Sequence, residues 1–320
     1  MKNSIIKIVL ILVVILTWGC SSLLDPDMDH IYSEDDLLQR AKYAEGVLLT
    51  AYNSLPSGLV INDVATDNAV SNQISGSANN FRRAANGEWS SSFDPFSHWD
   101  YYTAIGYINL FLDNIVNQTV WSPSSEWKDE NFRSRLKGEA HGLRAYYYSQ
   151  LLKSHAGIGA TSGSLLGIPL VLSSERSTIP RASFDDCVSQ ILTDAQIAIE
   201  SLPDLYVEAP SDNPNKNDID AVYGPNFKNR MCGRIAKMIK ARVLLLAASP
   251  AFNPADDESK WVDAANAAAE IIDAFGGVSA LTNSRLDYYL SMSNSDHLWR
   301  RDAVSNRGWE TCRNNSLHQP

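Results

Sequence analysis

The residues best suited to hold a ligand lie between positions 71 and 99, where five aromatic side chains stand among Ser, Asn and Gly. The apolar C–H face of a sugar stacks on such rings, while Asn, Asp and Arg side chains bond its hydroxyl groups. The stretch therefore predicts a carbohydrate-binding site, whose candidate residues are Phe81, Arg82, Trp89, Asp94 and Phe96. Trp89 is the first choice, although an aromatic side chain in such a stretch is more often packed into the core.

The same stretch shows no helical period, so we expect it to be irregular. Irregular segments of this length are uncommon inside a compact domain and often carry binding residues. A second irregular stretch, residues 203–229, contains Tyr206, Tyr223 and Phe227. These rings form a weaker candidate surface for a ligand or partner.

Residue patterns that support catalysis or tight metal binding are missing from the sequence. The six histidines include no H-E-x-x-H motif or other spacing that places two ligands on one helix face. Neither a G-x-S-x-G nucleophile motif nor a G-x-x-x-x-G-K-[ST] phosphate loop occurs. We therefore expect no catalytic residue, metal or cofactor. A carboxylate pair at a sugar site stays open, because Asp63, Asp67 and Asp94 lie near the aromatic residues.

Size and charge narrow the class of protein. The chain has 320 residues, of which 44% are hydrophobic and 20% charged, as in globular rather than disordered or multi-span membrane proteins. A chain of this length can bury a substantial core in one large domain or two smaller ones. Its formal net charge of −10 argues against a nucleic-acid partner, because phosphate backbones attract basic patches.

The amino terminus resembles a bacterial lipoprotein leader. Lys2 and Lys7 form a basic region before an apolar run at residues 8–16. The run is too short to cross a membrane, because a spanning helix needs about 20 residues. Gly19 and Cys20 follow, and such a leader is cleaved before a cysteine whose thiol is lipidated. We expect a signal peptide at 1–19, a lipid anchor on Cys20 and a tether at 20–32. A secretory signal with an incidental Cys20 is the alternative.

The other three cysteines, Cys187, Cys232 and Cys312, are scattered without a C-x-x-C pair. An odd number argues against a disulfide framework, although one pair among the three stays open. We expect Cys187 and Cys232 to be small apolar residues of the core.

Apolar residues recur at helical spacing in six segments after the tether. The clearest face is Leu136, Ala140, Leu143, Tyr147 and Leu151, and it is followed by a Gly-rich stretch and an extended segment at 167–171. The other five predicted helices lie near residues 33–55, 99–118, 183–202, 234–249 and 261–275, with Ser33 and Ser183 as caps. Gly106 and Gly138 would let the helices near 99–118 and 136–151 approach closely.

Several stretches of the chain resemble one known family. They are Gly138-Glu139-Ala140, LRAYYY at 143–148, GIPLV at 167–171 and AEGVLLTAYNSLP at 44–56. These are similar to the SusD/RagB family of nutrient-binding outer-membrane lipoproteins. The resemblance implies an all-α fold of tetratricopeptide-like helical pairs with long irregular binding loops, formed here by residues 33–320. Glu139 and Arg144 belong to the family pattern, and we expect them to form a structural pair between helices.

In function, the resemblance implies a lipid-anchored protein on the outer membrane that faces the cell surface. It would bind an oligomeric nutrient such as a glycan and deliver it to a SusC-like TonB-dependent transporter, without being an enzyme. Members of the family are usually longer, so we expect this chain to hold the amino-terminal part of the family pattern and to be truncated at the carboxyl end. Two other classes stay open, a secreted all-helical polysaccharide-degrading enzyme and a helical scaffold that binds proteins.

Replacing Cys20 with Ala should release the protein from membranes, because the thiol that would carry the lipid is removed. Cell fractionation followed by immunoblotting measures this. A Cys20→Ala protein that still fractionates with the outer membrane would show that protein contacts alone hold it there.

Overall fold

The computed structural model describes residues 40–56, 62–72, 74–90, 92–175, 178–280 and Trp299. Eight α-helices lie in these ranges: α1 (Ala41–Asn53), α2 (Gly76–Ala85), α3 (Tyr101–Leu110), α4 (Glu126–His155), α5 (Phe184–Ser201), α6 (Lys216–Tyr223), α7 (Gly233–Ala248) and α8 (Glu258–Ala274). They confirm the all-α class and the six predicted helices, and they add α2 and α6. The signal peptide, the tether, Cys20, the Ser33 cap and Cys312 lie outside the described residues.

Helix α4 is the central element of the fold and has 30 residues. The Ser125 hydroxyl caps it by accepting the N–H of Lys128 at 3.3 Å. Its predicted apolar face is buried, as expected: Leu136, Ala140, Leu143, Tyr147 and Leu151. Polar residues elsewhere on α4, such as Glu139 and Arg144, are buried as well, because α1, α3, α5 and α7 all pack against this helix.

Three short strands follow α4, namely β1 (Gly157–Ile158), β2 (Leu165–Pro169) and β3 (Arg181–Ser183). They form one antiparallel sheet in the order β1-β2-β3. The predicted extended segment after the Gly-rich stretch is therefore confirmed. Two helices hold it in place, because the Tyr102 hydroxyl donates to the Pro169 carbonyl at 2.6 Å and the Tyr148 hydroxyl to the Val171 carbonyl at 2.5 Å.

The closest approach of α4 is to α5, whose N-terminus Ser183 caps as predicted by accepting the N–H of Asp186 at 3.1 Å. A Cβ on Gly138 would lie 2.8 Å from the Ser201 Cβ, so only glycine allows this spacing. A Cβ on Gly106 would meet nothing within 4 Å. The prediction that Gly106 and Gly138 bring α3 and α4 together is wrong, because Gly138 faces α5 and Gly106 is exposed.

Glu139 and Arg144 do not pair with each other, contrary to the prediction, because each has its own partners. Arg144 forms a two-pronged pair with Asp194 of α5, in which both N–O distances are 2.8 Å. Its Nη1 also donates to the Oδ1 of Asn109 on α3 at 2.9 Å. Burial alone would raise the pKa of Asp194, but hydrogen bonds from Arg144 and His141 outweigh burial and lower this pKa.

Glu139 connects α1 with the segment that precedes α7. The Tyr52 hydroxyl donates to its Oε2 at 2.7 Å and accepts the backbone N–H of Met231 at 3.0 Å. The Arg230 guanidinium lies 3.3 Å from the same carboxylate and donates to Glu45 of α1 at 2.6 Å. Helix α1 and the segment before α7 therefore meet around one buried carboxylate.

The aromatic residues of the second irregular stretch contact the core to different degrees. Tyr206 is 5% exposed, and its hydroxyl donates to the Met231 carbonyl at 3.0 Å. Tyr223 and Phe227 are only partly buried where they pack against the same core. The predicted second ring surface is therefore wrong for Tyr206, and it stays a prediction for the other two rings.

The first aromatic stretch is more regular than predicted, because α2 occupies part of it. This helix buries only Ala78 and Phe81. Two buried positions less than one turn apart are too few for a helical period to be recognised, and Asn79 and Asn80 have low helix propensity. The expectation of an irregular segment is therefore wrong for residues 76–85 and holds for the residues that follow.

The cysteines that the structure describes, Cys187 on α5 and Cys232 before α7, are buried and free. This confirms the predicted core role. The Cys187 sulfur accepts the N–H of Ile168 at 3.3 Å, and a Cβ on Gly167 would collide with that sulfur. Burial raises the pKa of both thiols, so they stay protonated near neutral pH.

Helix α8 buries only small side chains against its neighbour. Its buried residues are Ala264 and Ala267, whereas Trp261 is 40% exposed. Small side chains let α8 lie close to α7, and the large indole stays at the edge of the contact.

Gly138→Ala should destabilise the fold, because the added methyl group overlaps the Ser201 and Leu202 side chains at the α4–α5 contact. Overpacking of this kind costs about 1–3 kcal/mol. Gly106→Ala is the matched control, and in free space it should stabilise a helix by up to about 1 kcal/mol. Urea unfolding followed by circular dichroism measures both free energies. Equal effects of the two substitutions would contradict the close α4–α5 contact.

Candidate ligand-binding surface

The candidate surface is built on the connection between α2 and α3. Ser90 and Phe93 form a single antiparallel bridge. The Asp94 side chain then accepts the backbone N–H of Phe96 at 2.9 Å, which is the hydrogen bond of an Asx turn. These two features reverse the chain and bring Phe96 back to α2.

Three rings form what we call the Trp89 stack: Phe81, Phe96 and Trp89. Phe81 on α2 is 9% exposed, and its ring centroid lies 4.9 Å from that of Phe96. The Phe96 ring is nearly parallel to the Trp89 indole, at 15° and 5.3 Å. Trp89 is 56% exposed. An open indole on top of two less exposed rings is a suitable platform for the C–H face of a sugar.

The predicted polar residues, Arg82 and Asp94, lie close in sequence to the rings of the Trp89 stack. A hydrogen bond holds each of these side chains in place. Arg82, which follows Phe81 on α2, donates to the Oδ1 of Asn79 at 2.6 Å. Asp94 uses one carboxylate oxygen in the turn that places Phe96. A guanidinium carries several N–H donors and a carboxylate several acceptor sites, so both groups can bond hydroxyls while keeping these contacts.

A second exposed ring lies at the other end of the connection. The Trp99 indole stacks on the imidazole of His155, with ring centroids 3.8 Å apart and planes at 14°. The Tyr102 ring lies 6.1 Å from Trp99 and is also nearly parallel to it. Trp99 is 45% exposed. Since His155 is the last residue of α4, this ring rests on the end of the central helix.

A backbone contact joins the connection to α4. The N–H of His98 donates to the Nε2 of His155 at 3.1 Å. Burial lowers the pKa of His155 and outweighs the opposing effect of Asp94. Burial also lowers the pKa of His98. Both imidazoles are therefore neutral at pH 7.

The structure brings three of the predicted residues, Phe81, Trp89 and Phe96, into one stack. Sequence reasoning missed His155, because this residue lies 57 positions from its partner His98 and periodicity assigns it only to the end of a helix. Trp99 stood within the aromatic stretch but was not chosen. Its place directly before the apolar face of α3 is the one sequence signal that could have marked it.

Metal-binding clusters and membrane-spanning helices are absent from the described ranges. No group of three or more His, Cys, Asp or Glu side chains there could hold a metal ion. None of the helices in those ranges is long and apolar enough to cross a membrane.

The chain is similar to a known protein family. A SusD-like family model, described as "Starch-binding associating with outer membrane", matches residues 27–224. The chain belongs to this family. The match covers α1 to α6, including every residue of the candidate surface, and it confirms the SusD/RagB resemblance. A comparison with curated protein sequences gives no significant match.

Solved structures of SusD-like proteins share the fold. A SusD-like protein from Bacteroides fragilis matches 77% of this chain at 23% identity, with a TM-score of 0.50. A laminarin-binding SusD-like protein matches 73% at 20% identity, with a TM-score of 0.51. A SusD-like carbohydrate-binding protein from Bacteroides vulgatus matches 74% at 20% identity, with a TM-score of 0.50. The matched part is 40%, 43% and 45% of the respective solved chains, so this chain spans less than half of their length.

Phe81→Ala should destabilise the protein far more than Trp89→Ala. Phe81 of α2 is buried beneath the Phe96 ring, and emptying such a site costs about 3 kcal/mol. The Trp89 ring is about half exposed, so its removal should cost less than about 1 kcal/mol. Thermal melts followed by circular dichroism compare the two. A large loss of stability in Trp89→Ala would identify its indole as a core residue and remove it from the candidate surface.

Proposed function

We propose that this chain belongs to a lipid-anchored protein of the outer membrane, facing the cell surface, that binds an oligomeric glycan and delivers it to a SusC-like TonB-dependent transporter. The observation that carries the proposal is the Trp89 stack. It places an open indole on two more buried rings in a chain of the SusD-like family.

The geometry of the surface suits a sugar better than a small apolar ligand. Trp89 and Trp99 are about half exposed, and each is supported from one side by another ring. A ring supported in this way keeps its orientation when a ligand arrives, so little side-chain freedom is lost on binding. Arg82 and Asp94 add donors and acceptors for hydroxyl groups.

Relatives support the substrate class. One solved SusD-like structure is named as laminarin-binding and another as carbohydrate-binding, and the family model is described as starch-binding. Both starch and laminarin are polymers of glucose, so glucans are the first ligands to test. The leader sequence supports the proposed lipid anchor at Cys20, and family membership supports the proposed transporter partner.

Binding without catalysis is the role that fits the carboxylates near the rings. A glycosidase uses one carboxylic acid and one carboxylate on opposite sides of the scissile bond. Here one oxygen of Asp94 accepts the N–H of Phe96 in the turn, and Glu88 is paired with Arg83 at 2.7 Å. Incubation with soluble starch and laminarin should release no shorter sugars, and chromatography of the products tests this.

Trp89→Ala should weaken glucan binding by about tenfold or less, since stacking of a sugar on an indole is worth roughly 1 kcal/mol, by analogy with aromatic pairs. Isothermal titration calorimetry with soluble starch and laminarin measures the affinities. Trp261→Ala is the matched control, because that indole is exposed to a similar degree but lies on α8. It should leave affinity unchanged.

Equal affinities of the wild-type protein, Trp89→Ala and Trp261→Ala would show that the Trp89 stack does not bind the glucan. A loss of affinity in Trp261→Ala alone would move the binding surface to α8.

A further inference from the structure

His155 occupies a special place beneath the candidate surface. It ends α4, its ring carries the Trp99 indole, and its Nε2 accepts the backbone N–H of His98. No other side chain in the described residues both stacks on an exposed ring of the surface and bonds the backbone of the same loop. We call residues 92–100 the surface loop.

The hydrogen bond from His98 constrains the chemistry of this imidazole. A ring nitrogen accepts a hydrogen bond only when it carries no proton, so the Nε2 must be bare and the Nδ1 protonated. Protonation of the ring would turn the acceptor into a donor that faces the His98 N–H. The contact therefore exists only with a neutral His155.

Only a few backbone residues separate the hydrogen bond between His98 and His155 from the rings of the candidate surface. Phe96, which supports the Trp89 indole, lies two residues before His98, and Trp99 follows it directly. The Asp94 turn holds one side of this short segment and His155 holds the other. If the hydrogen bond between His98 and His155 were lost, α4 would no longer hold the backbone that sets the distance between Trp89 and Trp99.

Charged and titratable groups face His155 from each element around it. The surface loop contributes Asp94, whose charge favours a protonated ring, and His98, which opposes it. Arg181 of β3 donates to the His155 carbonyl and also opposes a second positive charge. On α4 itself Lys153 acts mainly on His98. Burial has the largest effect and lowers the pKa of His155, although stacking on an indole favours a cation.

We propose that His155 is a positioning residue for glycan binding, which holds the surface loop in its binding shape only while its imidazole is neutral. This inference rests on the proposed function. Because a free histidine has a pKa of about 6.5, the protein should bind glycan at neutral pH and release it as the pH falls below about 6.

Binding to soluble starch, measured by calorimetry between about pH 8 and about pH 5, tests the proposal around the ordinary histidine pKa. The wild-type affinity should fall by about fivefold or more toward acid, which is the effect of losing one stacked ring. His155→Gln should bind within about threefold of wild type at neutral pH, because its amide oxygen can accept the same N–H, and should show no pH dependence. His98→Gln is the matched variant. It removes the other imidazole but keeps the backbone donor, so the pH dependence should remain.

Two binding results would overturn the proposal, namely wild-type affinity that does not change with pH and a His155→Gln protein that keeps the pH dependence. Nuclear magnetic resonance of the free 15N-labelled chain gives an independent result. The His98 amide signal should shift with the same midpoint as protonation of His155. A His98 amide signal that does not shift as His155 is protonated would contradict the proposed hydrogen bond. A protein that binds no glucan at any pH would refute the glucan function, while the amide titration would still decide the role of His155.

Discussion

The buried pair between Arg144 and Asp194 is the interaction on which the rest of the described fold depends. Charges this deeply buried are tolerated only together, and removing one partner typically costs about 3–5 kcal/mol. The pair fixes α4 to α5. The same guanidinium holds Asn109 of α3, whose amide donates to the Val171 carbonyl at 2.8 Å. One arginine therefore sets the position of two helices and of the chain that leaves β2, relative to the central helix.

Glu139 has a corresponding role on the amino-terminal side of α4. Apolar contacts are non-directional, so the stripe from Leu136 to Leu151 would by itself allow α1 to slide along α4. Hydrogen bonds have a defined geometry, and those from Tyr52 and Tyr206 to the Glu139 carboxylate restrict that freedom. Arg230 adds a positive charge that Glu139 shares with Glu45. The polar side chains of α4 thus select one arrangement among those its apolar face permits.

How far the sequence predicts this structure depends on the range of each interaction. The α4 face, the Ser183 cap and the extended segment at 167–171 are local patterns, and all three were predicted. The partners of Glu139 and Arg144 were not, because periodicity shows that a residue is buried but not what it meets. Gly138 was assigned to the wrong neighbour for the same reason. On the candidate surface, ring types marked Phe81, Trp89 and Phe96, whereas the contact between Trp99 and His155 exists only after folding.

The surface loop is attached to the fold in two physically different ways. At its middle, Phe96 packs on Phe81, a contact driven by apolar burial and insensitive to pH. Near its end, the His98 N–H depends on a single titratable acceptor. That acceptor sits at the end of α4, and the charged pairs of α4 fix its axis against α3 and α5. The helix that organises the core therefore also sets where the exposed rings stand, although the segment that carries these rings is otherwise irregular.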